Sequence, residues 1–237
     1  TLGYMTEEQY EQLVNSDFVE QAGHRRIIGY ASNTSSHSIE INYADSVQQE
    51  LTFCVPTHGA APEKANEIAT TDLALKALGV EPKVGAEVPL EFELRGKTYH
   101  YDMVLSGWWE ASNDSVSVAT VSEQFIKENP DVVQNTYAVD HEMSGVTFSD
   151  VVLKNKANVQ QQLNEFVCSI GGNPEDMGAD NFILASENQM SQGLTSSESI
   201  VFAVVFILMF VVCGYLLIYN IFDISVMQDV RQYGLLR

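Results

Sequence analysis

The sequence predicts an α+β domain lying outside the cytoplasm, with two subdomains, followed by one transmembrane α-helix near the C-terminus. Three observations predict it: a long charge-free apolar run, strand-like and helix-like segments that interleave upstream, and an acidic excess confined to that upstream part. From Ser199 to Phe222 there is no Asp, Glu, Lys or Arg, and sixteen of residues 200–222 are Ile, Leu, Val or Phe. As a helix rising about 1.5 Å per residue, this run reaches about 36 Å, enough to cross a hydrocarbon core of about 30 Å with some tilt. Each apolar residue near its centre favours insertion by about 0.3–0.6 kcal/mol. A buried helix of a soluble protein keeps a polar stripe, whereas this run is apolar on every face.

Basic residues set the orientation. Arg231 and Arg237 follow the run closely, and the nearest basic residue before it is Lys156. The positive-inside rule therefore predicts a cytoplasmic C-terminal end and residues 1–198 outside, at the cell membrane. The chain carries 12 basic and 32 acidic residues, a formal charge of −20. Asp223 and Asp229 balance Arg231 and Arg237, so the excess belongs to the outer domain. Such a surface repels nucleic acid and anionic headgroups. Of the three cysteines, Cys213 falls inside the span, and the two outer ones, Cys54 and Cys168, leave a pairing open. Two cysteines in a domain of this size make no disulfide framework.

Along the chain, Thr6 N-caps a helix running to about Leu13. Residues 25–31 and 50–55 read as strands, and 56–66 as a Pro/Ala/Gly-rich connection. A short strand over 66–69 leads into a helix over 71–78, with Gly79 at its C′ position. Runs at 87–94 and 97–105, separated by Arg95-Gly96, predict a hairpin. Further strands are expected at 116–121, 136–141, 146–153 and 182–185, with helices near 122–128 and over 157–170. Thr195, with Glu198 three residues later, has a capping-box pattern that opens the membrane helix. The expected boundaries are an outer domain over 1–194, the membrane helix over 195–224 and a cytoplasmic extension over 225–237. The chain starts at Thr1 and stops just past a hydrophobic helix, so it reads as a piece of a longer protein.

Catalytic patterns are absent or broken. Gly96-Lys97-Thr98 resembles the end of a phosphate-binding loop, but position 91 is Glu where glycine is required, and a hairpin supplies no helix N-terminus. His141-Glu142 begins like a zinc-protease helix, with Gly145 in place of the second histidine. His100 and Asp102 share one strand face and make no metal site alone. Asn173, Glu175, Asp176 and Asp180 lack EF-hand spacing. The expectation is a non-enzymatic chain with no cofactor or metal of its own. Trp108 and Trp109 form its largest aromatic pair, either contacting a ligand or packing a seam between subdomains.

Past the span, Arg231-Gln232-Tyr233-Gly234-Leu235-Leu236-Arg237 resembles the signature R-x-[YF]-G-[LIV]-L-R that follows the second transmembrane helix of FtsX-like, MacB-type ABC transporter permeases. Asn66-Glu67-Ile68-Ala69, Leu78-Gly79-Val80 and Lys83-Val84-Gly85-Ala86-Glu87-Val88 resemble a passage of the same family's outer domain. Trp108-Trp109-Glu110 is similar to Gram-positive members related to peptide-antibiotic and efflux systems. The resemblance implies a MacB-like periplasmic core fold within a longer, multi-span permease. It implies a separate cytoplasmic ATP-binding subunit that holds ATP and Mg, and a second permease module or homodimer partner. It also implies an outer ligand of unknown kind, and efflux or mechanotransmission as the task. Arg231, Tyr233, Gly234, Leu235, Leu236 and Arg237 then become candidates for coupling to the ATPase. The alternative is a single-span membrane-anchored sensor or adhesion module.

Overall fold

Short polar side chains start most helices of the domain before the long apolar helix. The computed structural model describes residues 1–34, 38–111, 117–187 and 197–235. Strand β1 (Leu2–Met5) leads to helix α1 (Glu7–Val14), where Thr6 accepts from the Gln9 N–H and the Gln9 side chain accepts from the Thr6 N–H. Next come β2 (Val19–Ala22), β3 (Arg25–Tyr30) and β4 (Ile39–Ala44). Asp45 then caps α2 (Ser46–Leu51), and a short strand β5 (His58–Gly59) follows. From β6 (Glu67–Thr71) the chain turns straight into α3 (Asp72–Leu78), capped by Thr71 and closed by Gly79 at φ 71°. The hairpin β7 (Glu87–Leu94) and β8 (Lys97–Trp109) turns through Arg95 and Gly96, both at positive φ. That matches the primed turn of two-residue hairpins.

Strand β9 (Ser117–Val121) leads to α4 (Glu123–Glu128), capped by Ser122, and a 3-10 turn (Pro130–Val133). The domain ends with α5 (Tyr137–Asp140), β10 (Thr147–Ser149), β11 (Val151–Leu153), α6 (Val159–Ser169) and β12 (Leu184–Ala185). Each side-chain N-cap stabilises its helix by about 1 kcal/mol. Helix α7 (Ser197–Leu235) is a separate unit.

One ten-stranded sheet runs in the order β12-β1-β10-β3-β4-β9-β6-β8-β5, with β7 on β8, and β11 pairs β2 in a second, two-stranded sheet. The pairs β4–β9 and β6–β8 are parallel; the rest are antiparallel. The free edge of β7 comes back to the end of β3, where Ala31 bridges Phe92 and the Ser32 N–H donates to the Glu91 carbonyl at 2.8 Å. Strands β3, β4, β9, β6, β8 and β7 thereby wrap one core. β7 alternates strictly, sending Val88, Leu90, Phe92 and Leu94 inward to Ile41, Ile68, Met103 and Leu105. A second core lies among β1, α1, β11 and α6, around Leu2, Leu13, Leu163 and Val167. The α+β class is therefore as the sequence predicts, with two main cores hung on one continuous sheet.

Several local expectations are corrected. Residues 50–55 are not a strand but the end of α2 and its exit. Alternating Leu51, Phe53 and Val55 mimic a strand, whereas the Asp45 cap and the buried Gln48 and Gln49 amides dictate a helix. That helix closes in a Schellman motif: Phe53 donates to the Glu50 carbonyl and Cys54 to that of Gln49. Phe53 occupies the left-handed position at φ 58°, where glycine is usual and another residue costs about 1–2 kcal/mol. Residues 136–141 form helix α5 rather than a strand, because the Asn135 side chain accepts from the Tyr137 N–H and starts a turn. The single strand expected over 146–153 is two, β10 and β11, in different sheets, broken at Asp150. Residues 182–185 pair as a strand only over β12. Strands β1, β2 and β4 had no sequence signal strong enough to be assigned, and β5 lies within the stretch 56–66 expected to be a connection only.

Cys54 and Cys168 are unpaired, one half-buried and the other exposed. The Thr195 cap of the membrane helix lies outside the described residues.

Candidate functional site

Strands β1 and β12 lie side by side, which brings Thr1 and Ser186 together. The Thr1 nitrogen donates to the Ser186 carbonyl at 2.7 Å, and the Ser186 N–H returns a bond to the Thr1 carbonyl at 2.9 Å. The Thr1 hydroxyl donates to Asp150, whose other carboxylate oxygen accepts from Gln48 Nε2 at 2.6 Å. The Asp150 N–H in turn donates to Gln48 Oε1 at 3.1 Å. Asp150 thus ties the first residue, the strand break and α2 into one knot. In the sheet, the β12–β1 pair at this root is followed by β10 and then β3.

Beside the root sits a charged cluster. Glu7, in the first turn of α1, accepts from Thr147 at 2.5 Å and lies 3.3 Å from His24 Nε2 and 3.6 Å from Arg26 Nε. Burial pushes the Glu7 carboxyl up, but the His24 and Thr147 hydrogen bonds and the His24 and Arg26 charges outweigh it and hold it at about 2. The His24 ring stacks on Tyr10 at 4.3 Å and meets Tyr43 edge-on at 5.6 Å. Burial, with Asp45 nearby, pushes both phenols up to about 12. Arg26 reaches on to the Val133 carbonyl at 2.6 Å. The cluster pins α1, β3 and β10 together electrostatically. It contains no nucleophile paired with a base.

The tryptophans do not form a free aromatic patch. Trp109 is 5% exposed. Trp108 lies flat on His58, with ring centroids 3.9 Å apart and planes 2° apart, at the rim of the barrel-like core. Gly96-Lys97-Thr98 is the hairpin turn and the start of β8, with Lys97 Nζ over the Tyr99 ring. His100 faces Glu91 across the hairpin at 3.0 Å, not Asp102. Among the described residues, no three His, Cys, Asp or Glu side chains converge to hold a metal ion. An open cleft of about 660 Å³ lies between α1 and α6, floored by Phe18 and Phe166 and rimmed by Gln12 and Glu165. Its size falls in the range of small-molecule sites.

In α7, Val201–Met227 has a mean hydropathy of 3.0, and none of it is buried in the structure. It is long and apolar enough to cross a membrane, and no proline interrupts it. Arg231, Tyr233, Gly234 and Leu235 lie on the same continuous helical backbone, while Leu236 and Arg237 lie outside the described residues.

No family model matches the chain, and no curated protein does either. Solved structures do resemble it. The extracellular domain of the noncanonic ABC-type transporter YknZ from Gram-positive bacteria shares 13% identity at a TM-score of 0.46, over 77% of this chain and 89% of that one. The periplasmic region of MacB from Actinobacillus actinomycetemcomitans shares 9% identity at a TM-score of 0.45, over 82% of this chain and 85% of that one. A domain of a protein described as a permease, from Porphyromonas gingivalis, shares 10% identity at a TM-score of 0.43, over 82% of this chain and 86% of that one. The first two are described as extracellular or periplasmic regions, and the third as a domain of a permease.

Proposed function

We propose that this chain belongs to the permease of an ABC transporter of the FtsX-like, MacB type. Its outer domain is moved by a cytoplasmic ATPase through α7. The observation that carries the reading is the side-by-side pairing of Thr1 and Ser186, which flank the adjacent strands β1 and β12, with a membrane-length helix downstream of the second. A domain hung by two neighbouring strands is suited to insertion between two membrane helices. Displacement of either helix acts on the same root. An α-helix without proline or an internal break passes axial displacement along its length, so α7 suits that task.

In this scheme the partner binds ATP and Mg, and this chain performs no hydrolysis. Arg231, Tyr233, Gly234, Leu235, Leu236 and Arg237 face the ATPase, and a second permease module completes the assembly. The task is efflux or mechanotransmission, with peptides and antibiotics as the substrate classes in view.

The test is to purify the full-length protein from native membranes and assay it. An ATP-binding subunit should co-purify, and Arg231→Glu with Arg237→Glu should leave basal ATP hydrolysis intact while abolishing its response to the outer domain's ligand. A full-length product with one span and no associated ATPase would favour the anchored sensor or adhesion module instead. A reporter fused after Arg237 that appears outside the cell would reject the topology.

A further inference from the structure

A small recess of about 100 Å³ opens beside the N-terminus of α1, between β1, the start of α5 and the loop that leads into β12. Its walls are aromatic. The Tyr4 ring meets Tyr137 at 5.0 Å, Phe148 at 5.3 Å and Phe182 at 5.5 Å between centroids, each pair tilted. Of these, Tyr4, Tyr137 and Phe182 line the recess, and Asp180 is the one charged residue among its lining. The Asp180 carboxylate is exposed, and among the described residues it has no ion pair and no hydrogen bond. Arg95, which bonds the neighbouring Thr136 at 2.8 Å, is already engaged with Asp140 and the Gln134 carbonyl.

The chain holds Tyr4 in this place at a cost. Strand β1 is bulged between Leu2 and Met5, and within the bulge Tyr4 sits at φ 62°. A residue other than glycine gives up about 1–2 kcal/mol there. The adjacent Gly3 is committed elsewhere, because a Cβ on it would run into the Phe148 ring. Bulges re-aim side chains, and backbone strain of this kind gathers at ligand sites. Here the bulge sets an aromatic ring against three others at the wall of a recess. Neither the Tyr4 nor the Tyr137 hydroxyl has a hydrogen bond among the described residues. Burial, with the Tyr4 phenol beside it, pushes the Tyr137 phenol up, so that ring is neutral at physiological pH.

Aromatic rings beside one carboxylate recognise an organic cation: the rings attract it through their quadrupoles, and the carboxylate supplies the opposite charge. The formal charge of −20 raises the local concentration of cations at this surface. At about 30 Å³ per water the recess has room for about three waters. That suits the end of an alkylammonium chain rather than a whole ring system. We propose that the recess binds the ammonium end of an alkylamine, with Asp180 as counter-ion and Tyr4, Tyr137 and Phe182 as the aromatic wall. The alkylamine is either a free amine or the lysine side chain of a peptide. The recess lies wholly within residues 1–187, so the proposal stands independently of the membrane reading and of an ATPase.

The test is saturation-transfer NMR on the full chain in dodecyl maltoside at constant ionic strength. Butylammonium should bind, and butan-1-ol, with the same carbon chain and no charge, should bind about tenfold more weakly. Asp180→Asn and Tyr137→Leu should each weaken butylammonium by about threefold, with tryptophan fluorescence confirming that both variants are folded. Absence of saturation transfer to butylammonium at millimolar concentration, or equal binding of butan-1-ol, overturns the proposal. Both of those readings use the unsubstituted chain and so decide the matter even if Tyr137→Leu fails to fold. Undiminished binding by a folded Asp180→Asn chain overturns it too, and tighter binding of butylguanidinium than of butylammonium overturns the ammonium assignment. Tighter binding of N-acetyl-lysine methylamide than of butylammonium supports the proposal with a peptide as the source, and the reverse order supports it with a free amine.

Discussion

Replacing Glu7 with glutamine should weaken the N-terminal domain at neutral pH and hardly at all in acid. The folded carboxyl is held at about 2 against an ordinary value of 4.5. Because the folded value is depressed, the stabilisation is fully present above pH 4.5 and is lost as pH falls towards 2. At 1.36 kcal/mol per pKa unit the full shift corresponds to about 3 kcal/mol. The side chain is 37% exposed, so water and salt screen part of that. About 1–2 kcal/mol is the expected contribution at pH 7. Both tryptophans lie in the outer domain, so their fluorescence follows its unfolding in the intact, detergent-solubilised chain. The difference in midpoint between the native chain and Glu7→Gln should be about 2–6 °C at pH 7. It should shrink steadily below pH 4.5. A difference that stays constant from pH 7 to pH 3 would refute the ion-pair account of how α1, β3 and β10 are held together.

Phe92→Ala should cost about 3–5 kcal/mol, because Phe92 is fully buried and carries the bridge that closes the barrel-like core. Faster hydrogen exchange at the Ser32 amide would accompany it, and a loss below about 1 kcal/mol would contradict the closure. Phe53→Gly should raise the melting temperature in detergent by about 1–4 °C, since relief of left-handed strain exceeds the added chain entropy of glycine. A lower melting temperature would show that the exposed ring is structurally engaged.

The parts legible in sequence were those governed by near-neighbour chemistry. Thr6, Thr71 and Ser122 announce helix starts because an N-cap bonds within three residues, and Arg95-Gly96 announces a hairpin because the turn lies within two. Glu87–Leu94 alternates strictly because one face is buried. By contrast, β4 carries buried Glu40 and Asn42, which bond each other at 2.7 Å and look solvent-facing in a linear reading. The α2 segment was misread for the same reason, the buried Gln48 amide being satisfied by Asp150, 102 positions away. As to the candidate site, the residues proposed for coupling, Arg231 to Arg237, stand out in the sequence as a contiguous motif. The root was not, because it consists of Thr1, Gln48, Asp150 and Ser186, none of which stands out in its own neighbourhood.

What the sequence determines alone is the apolar, membrane-length helix, the acidic character of the domain before it and the α+β class. Hydrocarbon insertion and helix or strand periodicity are sums over contiguous residues. Only the tertiary structure decides that β12 returns to β1, that β7 closes on β3, that Trp108 lies flat on His58 and that Phe53 is left outside. Each depends on pairing between residues far apart in the chain, whose free energy is gained only when both partners are already in place.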